Sequence, residues 1–338
     1  PPPVEDSLGP LLKRLAAGLA TSAAALERDE EKIELVAAAD RSTAIAAGLD
    51  TWLTHRLDDA VYWIESTRGR RPSTRLCSSP IDVGPLLRET LFDAVGTVVL
   101  TSATLAVGED NFDFVTSRLG LSGATVRRLG SPFDFQRQCR LVLPRGLPDP
   151  GNARAYTAAV CHQIERQLGG TDGRAFVLFT SYRMMHDCAE RLAGWLSHND
   201  LTLFCQGKGL NRTLMLERFR TTERAVLFGT ESFWQGVDVP GEALSTVVIT
   251  RLPFSVPDHP LLEARLERIG ERGGNPFIEY QVPEAIIKLK QGFGRLIRRQ
   301  TDTGRVVILD PRLRTRPYGR LFLASLPECP IDEDEDED

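Results

Sequence analysis

From Pro85 onward, short apolar runs alternate with helix-length amphipathic stretches. The runs are TVVLT (97–101), RLVLP (140–144), AFVLFT (175–180), LTLFC (201–205), AVLFG (225–229), STVVIT (245–250) and RVVILD (305–310). Helical patterns such as PLLRETLFDAV (85–95) and RAYTAAVCHQIERQL (154–168) separate them. Continuous β-branched runs between helices are the pattern of strands buried on both faces, so the sequence predicts an α/β fold with a parallel sheet flanked by helices. Ahead of it, residues 7–59 are rich in alanine and leucine, with Leu11, Leu12, Leu15 and Leu19 at helical spacing, and predict a helical hairpin or small bundle. AVYWIES (60–66) and STRLCSSPIDV (73–83) read as strands joined by the basic turn TRGRRPS.

In open α/β sheets, sites form at the carboxyl ends of the strands. The residues there are TSATL, TSYRMM, QGKG, GTESFWQGVD, RLPFS and DPRL, so polar and glycine-rich segments follow nearly every run. Thr101, Ser102 and Thr104 are small hydroxyls that either form turns or hold a backbone in place. Thr180 and Ser181 precede a helix start with Tyr182 and Arg183, an arrangement that suits a phosphate with a stacking ring beside it, or simple helix capping. Gly229, Gly236 and Asp238 allow close approach of a ligand to the backbone, with a carboxylate for a hydroxyl partner. The adjacent Phe233 and Trp234 cannot share one face of a regular element, so one of the rings is a candidate stacking platform.

The stretch QGFGRLIRRQTDTG (291–304) makes the strongest demand. On a continuous helix begun near Pro283 and Glu284, Gln291, Arg295 and Arg298 fall at i, i+4 and i+7 and line one face, opposite Ile286, Ile287, Leu296 and Ile297. Gly292 and Gly294 cost such a helix roughly 1 kcal/mol each relative to alanine. The expectation is that an anion approaches the Gln/Arg/Arg ridge, since planar guanidiniums suit bidentate contact with phosphate oxygens.

Composition narrows the class. The 338 residues suffice for about two domains, and 42% hydrophobic with 26% charged residues is ordinary for a globular chain. No apolar run approaches the roughly 20 residues of a membrane span. Six scattered cysteines without a C-x-x-C pair argue against a zinc site or disulfide framework and fit a cytoplasmic setting. The net charge of −5 is set by seven consecutive acidic residues, Asp332–Asp338; without them the remainder carries +2. So dense a block of like charge is expected to remain a disordered tail.

In order and wording, these segments resemble motifs III (TSATL), IV (FVLFTSYRMM), V (GTESFWQGVDVPG) and VI (QGFGRLIRRQTDTG) of superfamily 2 helicases. VVITRLPFSVPDHPLLEARLERI, after the third of them, is similar to the DinG/XPD branch of ATP-dependent 5′–3′ DNA helicases. The resemblance, from about Val61 to Pro327, implies a RecA-like second motor domain. It implies Arg298 as arginine finger on the γ-phosphate of ATP, Arg295 as a neighbouring phosphate contact, and Gln291 as the residue that orients water or couples the domains. Gly229, Gly236, Asp238, Thr101, Ser102 and Thr104 become nucleotide-binding or coupling residues. Thr180, Ser181, Tyr182, Arg183, Trp234 and Arg251 become contacts to single-stranded DNA.

G-x-x-x-x-G-K-[ST] does not occur; QGKGLN has Gly209 where the Ser or Thr should be. Neither a D-E-x-H box nor a cluster of four cysteines is present. The resemblance therefore implies the C-terminal half of a longer helicase, inactive alone. ATP and Mg2+ would be bound mainly by an N-terminal motor domain of the same protein, which is also where an iron–sulfur cluster would sit. The expected organisation is residues 1–71 as the end of an arch-like insertion, 72–120 as a returning part of the first motor domain, 121–330 as the second, and 331–338 as the tail. A non-catalytic nucleic-acid- or partner-binding module on the same fold is the alternative.

Overall fold

The computed structural model describes residues 4–67, 72–234 and 244–332. They form two compact units, one of Pro1–Ala94 with Val256–Gly273 and one of Val95–Ser255 with Gly274–Asp338.

In the first unit, helices Gly9–Ala24 and Asp29–Leu53 form the expected hairpin. Its buried residues are mostly small (Ala16, Ala23, Ala39, Ala46), so the two backbones pack closely along a thin core. Strands β1 (Ala60–Thr67) and β2 (Ser73–Pro80) pair antiparallel. Helix Pro260–Glu271 joins this unit through an Arg268–Asp59 ion pair, a bond from Arg265 Nε to the Ile81 carbonyl (3.0 Å), and an edge contact between Trp63 and His259.

The second unit is built on a parallel seven-stranded sheet of order β5-β6-β4-β7-β8-β3-β9. Its strands are β3 (Cys139–Val142), β4 (Ala175–Leu178), β5 (Thr202–Cys205), β6 (Ala225–Gly229), β7 (Thr246–Ile249), β8 (Gly304–Ile308) and β9 (Ile331–Asp332). Alternation along the strands divides the core. Phe176, Leu178, Leu227, Val247, Ile249, Val306 and Ile308 pack with Met215 and Phe219 of helix Arg212–Thr221 and with Ile286, Leu289 and Phe293 of helix Val282–Phe293. Val177, Phe228, Val248 and Val307 face the other way, toward helices Ala153–Leu168 and Tyr182–His198. Both faces are covered, as the uninterrupted apolar runs require.

Two expectations fail. TVVLT (97–101) is not a strand: Val99 and Leu100 are 78% and 44% exposed, and no described residue pairs with the segment. β-branched composition marks a strand's preference but cannot supply the neighbouring ladder that a strand needs. The acidic tail, conversely, begins inside the fold. Ile331 and Asp332 form β9 beside β3, and Asp332 pairs with Arg140 at 3.1 Å. The remaining tail, 333–338, lies outside the described residues. Among those described, no helix is long and apolar enough to cross a membrane.

Candidate functional site

The carboxyl ends of β5, β6 and β4 are neighbours, and Gln206 stitches them together. Its Oε1 accepts from the Thr230 amide (2.8 Å) and hydroxyl (2.9 Å), while its Nε2 donates to Tyr182 Oη (2.6 Å) and Ser232 Oγ (3.0 Å). Ser181 caps helix Tyr182–His198, its Oγ accepting from the Met184 amide at 3.3 Å. Thr180, Ser181, Tyr182 and Arg183 are all exposed, with Tyr182 at 52%. The result is an open edge of hydroxyls at the amino end of a 17-residue helix, where backbone N–H groups favour an anion.

Gly229 ends β6. A Cβ there would lie 2.6 Å from Phe233, so the close approach that it permits is that of a ring, not of a ligand. Phe233 and Trp234 are both buried. This corrects the expectation of a stacking platform at Trp234: its indole donates to the Phe179 carbonyl at 3.2 Å, and its ring lies where a Cβ on Gly292 would come within 2.9 Å. Gly236 and Asp238 fall outside the described residues.

The Gln/Arg/Arg ridge is also different from the expected one. Helix Val282–Phe293 carries its proline in the first turn and Glu284 beside it, but ends at Gly294, before either arginine. Arg295 turns inward and is 8% exposed, with Nε and Nη2 both donating to the Trp234 carbonyl at 3.1 and 2.5 Å. The two glycines therefore serve packing and termination. Gly292 makes room for Trp234, and Gly294 lets the chain leave the helix over the Lys290 carbonyl, which would lie 3.2 Å from a Cβ.

Gln291 remains on the helix, and its Oε1 is buried with no hydrogen-bond partner among the described residues. Arg298, half-buried, follows in a turn pinned by two side chains. Asp302 Oδ2 accepts the Arg298 and Arg299 amides at 2.9 and 2.8 Å. Gln138 donates to the carbonyls of Arg299, Gln300 and Asp302 at 2.9, 3.1 and 2.8 Å. Sequence reasoning missed Gln138, Asp302 and Gln206. Only Gln206 left a trace, as part of the QGKG segment at a strand end.

Thr101 and Ser102 are exposed and Thr104 half-buried; Ser102 Oγ accepts the Thr104 amide at 3.3 Å, an ordinary turn contact. The chain just after them is anchored. Lys290 Nζ donates to the Ala106 carbonyl (2.8 Å) and the Gly108 amide to Ser325 Oγ (2.7 Å). Burial, with a smaller effect of Arg128, holds the Lys290 pKa below the usual lysine value. Lys288, on the same helix, bonds Ser255 Oγ (2.7 Å) and faces Glu284 and Glu231 at 3.5 and 3.6 Å. Arg251, at the end of β7, is half-buried and donates to the Pro150 carbonyl at 3.3 Å.

A parallel sheet that gathers hydroxyls and amides on the carboxyl edge of β4, β5 and β6, with a separate Arg298-bearing turn held by Gln138 and Asp302 just ahead of β8, has the architecture of a RecA-like second domain of superfamily 2 helicase type. Residues 164–329 match the helicase C-terminal domain family. The ATP-dependent DNA helicase YoaA of Escherichia coli is 45% identical over 272 residues, covering 80% of this chain and 41% of that protein. The Bacillus subtilis protein named 3′-5′ exonuclease DinG is 38% identical over 283 residues (82% and 30%), and the ATP-dependent helicase DinG of Mycobacterium tuberculosis 38% over 292 (85% and 43%). The chain thus spans less than half the length of these relatives. In fold it is similar to Xpd4 from S. tokodaii (TM-score 0.54, 16% identity, 96% of this chain and 66% of that one) and to an XPD helicase (0.55, 15%, 96% and 61%). The chain corresponds to the C-terminal half of a DinG/XPD-like superfamily 2 helicase.

Proposed function

We propose that this chain is the second motor half of an ATP-dependent DNA helicase that moves 5′ to 3′ on single-stranded DNA. The observation that carries the reading is the Gln291 Oε1, buried and without a partner among the described residues. An orphaned buried acceptor costs about 1–3 kcal/mol, and a donor brought by a bound nucleotide's water or by a closing domain would recover it. ATP, held with Mg2+ mainly by an N-terminal motor domain, supplies the free energy. Arg298, on its braced turn, is assigned to the charge that develops on the transferred phosphoryl group. Arg295 is assigned a positioning role: it fixes Trp234 and hence the entry to residues 235–243, among which are Gly236 and Asp238. Thr180, Ser181, Tyr182 and Arg183 are assigned to the phosphates and bases of the strand, with Arg251 further along the edge.

The exposed Val99 and Leu100 support a further assignment: residues 97–101 add a strand to the sheet of the first motor domain, carrying Thr101, Ser102 and Thr104 to its nucleotide. The hairpin before β1 is assigned to the end of an arch-like insertion. The test is paired. The 338-residue chain alone should bind single-stranded DNA in a salt-sensitive manner and show no ATP turnover. Robust turnover, or absent binding at low salt, would refute the reading.

A further inference from the structure

We propose that the carboxyl edge beyond β4 carries a second phosphate-binding stretch, formed by Arg145, Arg251, Arg314 and Arg316, whose ligand is the backbone of single-stranded nucleic acid continuing from Thr180–Arg183. The inference rests on the proposed function and extends it from Arg251, already assigned to the strand, to Arg145, Arg314 and Arg316, which lie in none of the motif-like segments.

The sheet order places β4, β7, β8 and β3 side by side. At roughly 4.8 Å per strand, their ends span about 14 Å. That is room for several phosphates, which lie about 3.4 Å apart along one strand of a duplex and farther when extended. The segments that leave these ends meet one another. Arg314, from the turn after β8, donates Nη2 to the Leu143 carbonyl at 3.0 Å, which sets its guanidinium at the end of β3, two residues from Arg145. Arg251 reaches the Pro150 carbonyl in the same post-β3 loop. Arg316 faces Asp149 at 3.8 Å.

Arg145, Arg314 and Arg316 are exposed. Of the two carboxylates nearby, Asp310 is fully buried and paired with Arg312 at 2.6 Å, whereas Asp149, exposed, faces Arg316 and would have to yield it to a phosphate. Partial burial first, and the charge of Arg145 second, hold Arg314 below the usual arginine pKa. Arg251 and Arg314, each fixed through a backbone carbonyl, present forked donors at set positions, which suit phosphate oxygens, with Arg145 and Arg316 exposed beside them.

The experiment is an anisotropy titration of the full chain with fluorescein-labelled oligo(dT) from 50 to 200 mM NaCl. Wild type is compared with Arg145→Ala/Arg314→Ala and Arg145→Lys/Arg314→Lys. Each lost phosphate contact lowers the log–log salt slope by about 0.7 on single strands, so the alanine pair should lose about 1.4 and bind roughly tenfold more weakly at low salt. The lysine pair, which keeps the charge, should retain the slope. An alanine pair with wild-type slope and affinity overturns the proposal while wild-type binding still supports the helicase reading. So does equal loss in both pairs, which would mark a structural effect. Failure of wild type to bind would remove both.

Discussion

Arg295 donates twice to the carbonyl oxygen of Trp234, and the ring of that tryptophan lies against Gly292, one turn earlier on the helix that ends just before Arg295. The two strongest motif-like segments of the chain, GTESFWQGVDVPG and QGFGRLIRR, are thereby locked to one another. Of the two arginines that sequence spacing placed on one ridge, one is an internal brace and the other is presented on a separate turn.

The brace should show in stability. Arg295→Ala removes charged hydrogen bonds, worth about 1.5–3 kcal/mol each, from a buried carbonyl. Urea denaturation should give an unfolding free energy lower by roughly 2–4 kcal/mol, against less than about 1 kcal/mol for Arg298→Ala. Equal losses would place the two side chains in equivalent surroundings.

Gly292→Ala should be costly for a different reason. The added methyl meets the Trp234 ring at 2.9 Å, and overpacking of this kind costs about 1–3 kcal/mol. Trp emission should shift with it. Gly294→Ala, whose methyl would meet only the Lys290 carbonyl at 3.2 Å, should be milder. The reverse ranking would mean that the tryptophan is not seated on Gly292.

Lys290 anchors the chain beside Thr101–Leu105 through the Ala106 carbonyl. In Lys290→Met, amide exchange over residues 101–111 should accelerate while the strands keep their protection. The lysine also predicts a pH trend. Its folded pKa lies below the unfolded value of 10.5, so the unfolded chain binds more protons between the two. Wild type should therefore gain stability relative to Lys290→Met as pH rises through that window toward 10.5, and lose it as pH falls back. A flat difference would contradict the burial of this ammonium.

Tyr182 is held by Gln206 yet half open to solvent. Tyr182→Ala should weaken single-strand binding by about 1–3 kcal/mol, the worth of one stacked base, with little change in melting temperature. Gln206→Leu should weaken both, because it also strips Thr230 of its partner. An unaffected affinity in Tyr182→Ala would leave the ring without a ligand.

The sheet was legible because AFVL, AVLFG, TVVI and RVVI are buried on both faces, and such burial writes an unbroken apolar run. TVVLT carries the same composition but pairs with no described residue, since composition is silent about where the neighbouring strand lies. β9 was illegible for the opposite reason: Ile331–Asp332 opens an acidic run, and its place beside β3 is set by backbone bonds from Leu141 and Leu143 to the Pro330 and Asp332 carbonyls, which no local pattern announces. The spacing of Gln291, Arg295 and Arg298 defined a face only while the helix continued. The helix ends at Gly294, and what occupies the space over Gly292 is a tryptophan remote in sequence. Gln138 and Gln206 act through long-range amide bonds, which leave no local pattern.

The central claim is that Arg298 acts across to a nucleotide held by another motor domain. It is tested most directly by DNA-stimulated ATP hydrolysis in the longer protein that contains both halves, wild type against Arg298→Ala. The expected result is a kcat lower by about 10³-fold or more, as for other arginine fingers, with single-strand affinity retained within about twofold. A kcat preserved within a few-fold would contradict the account.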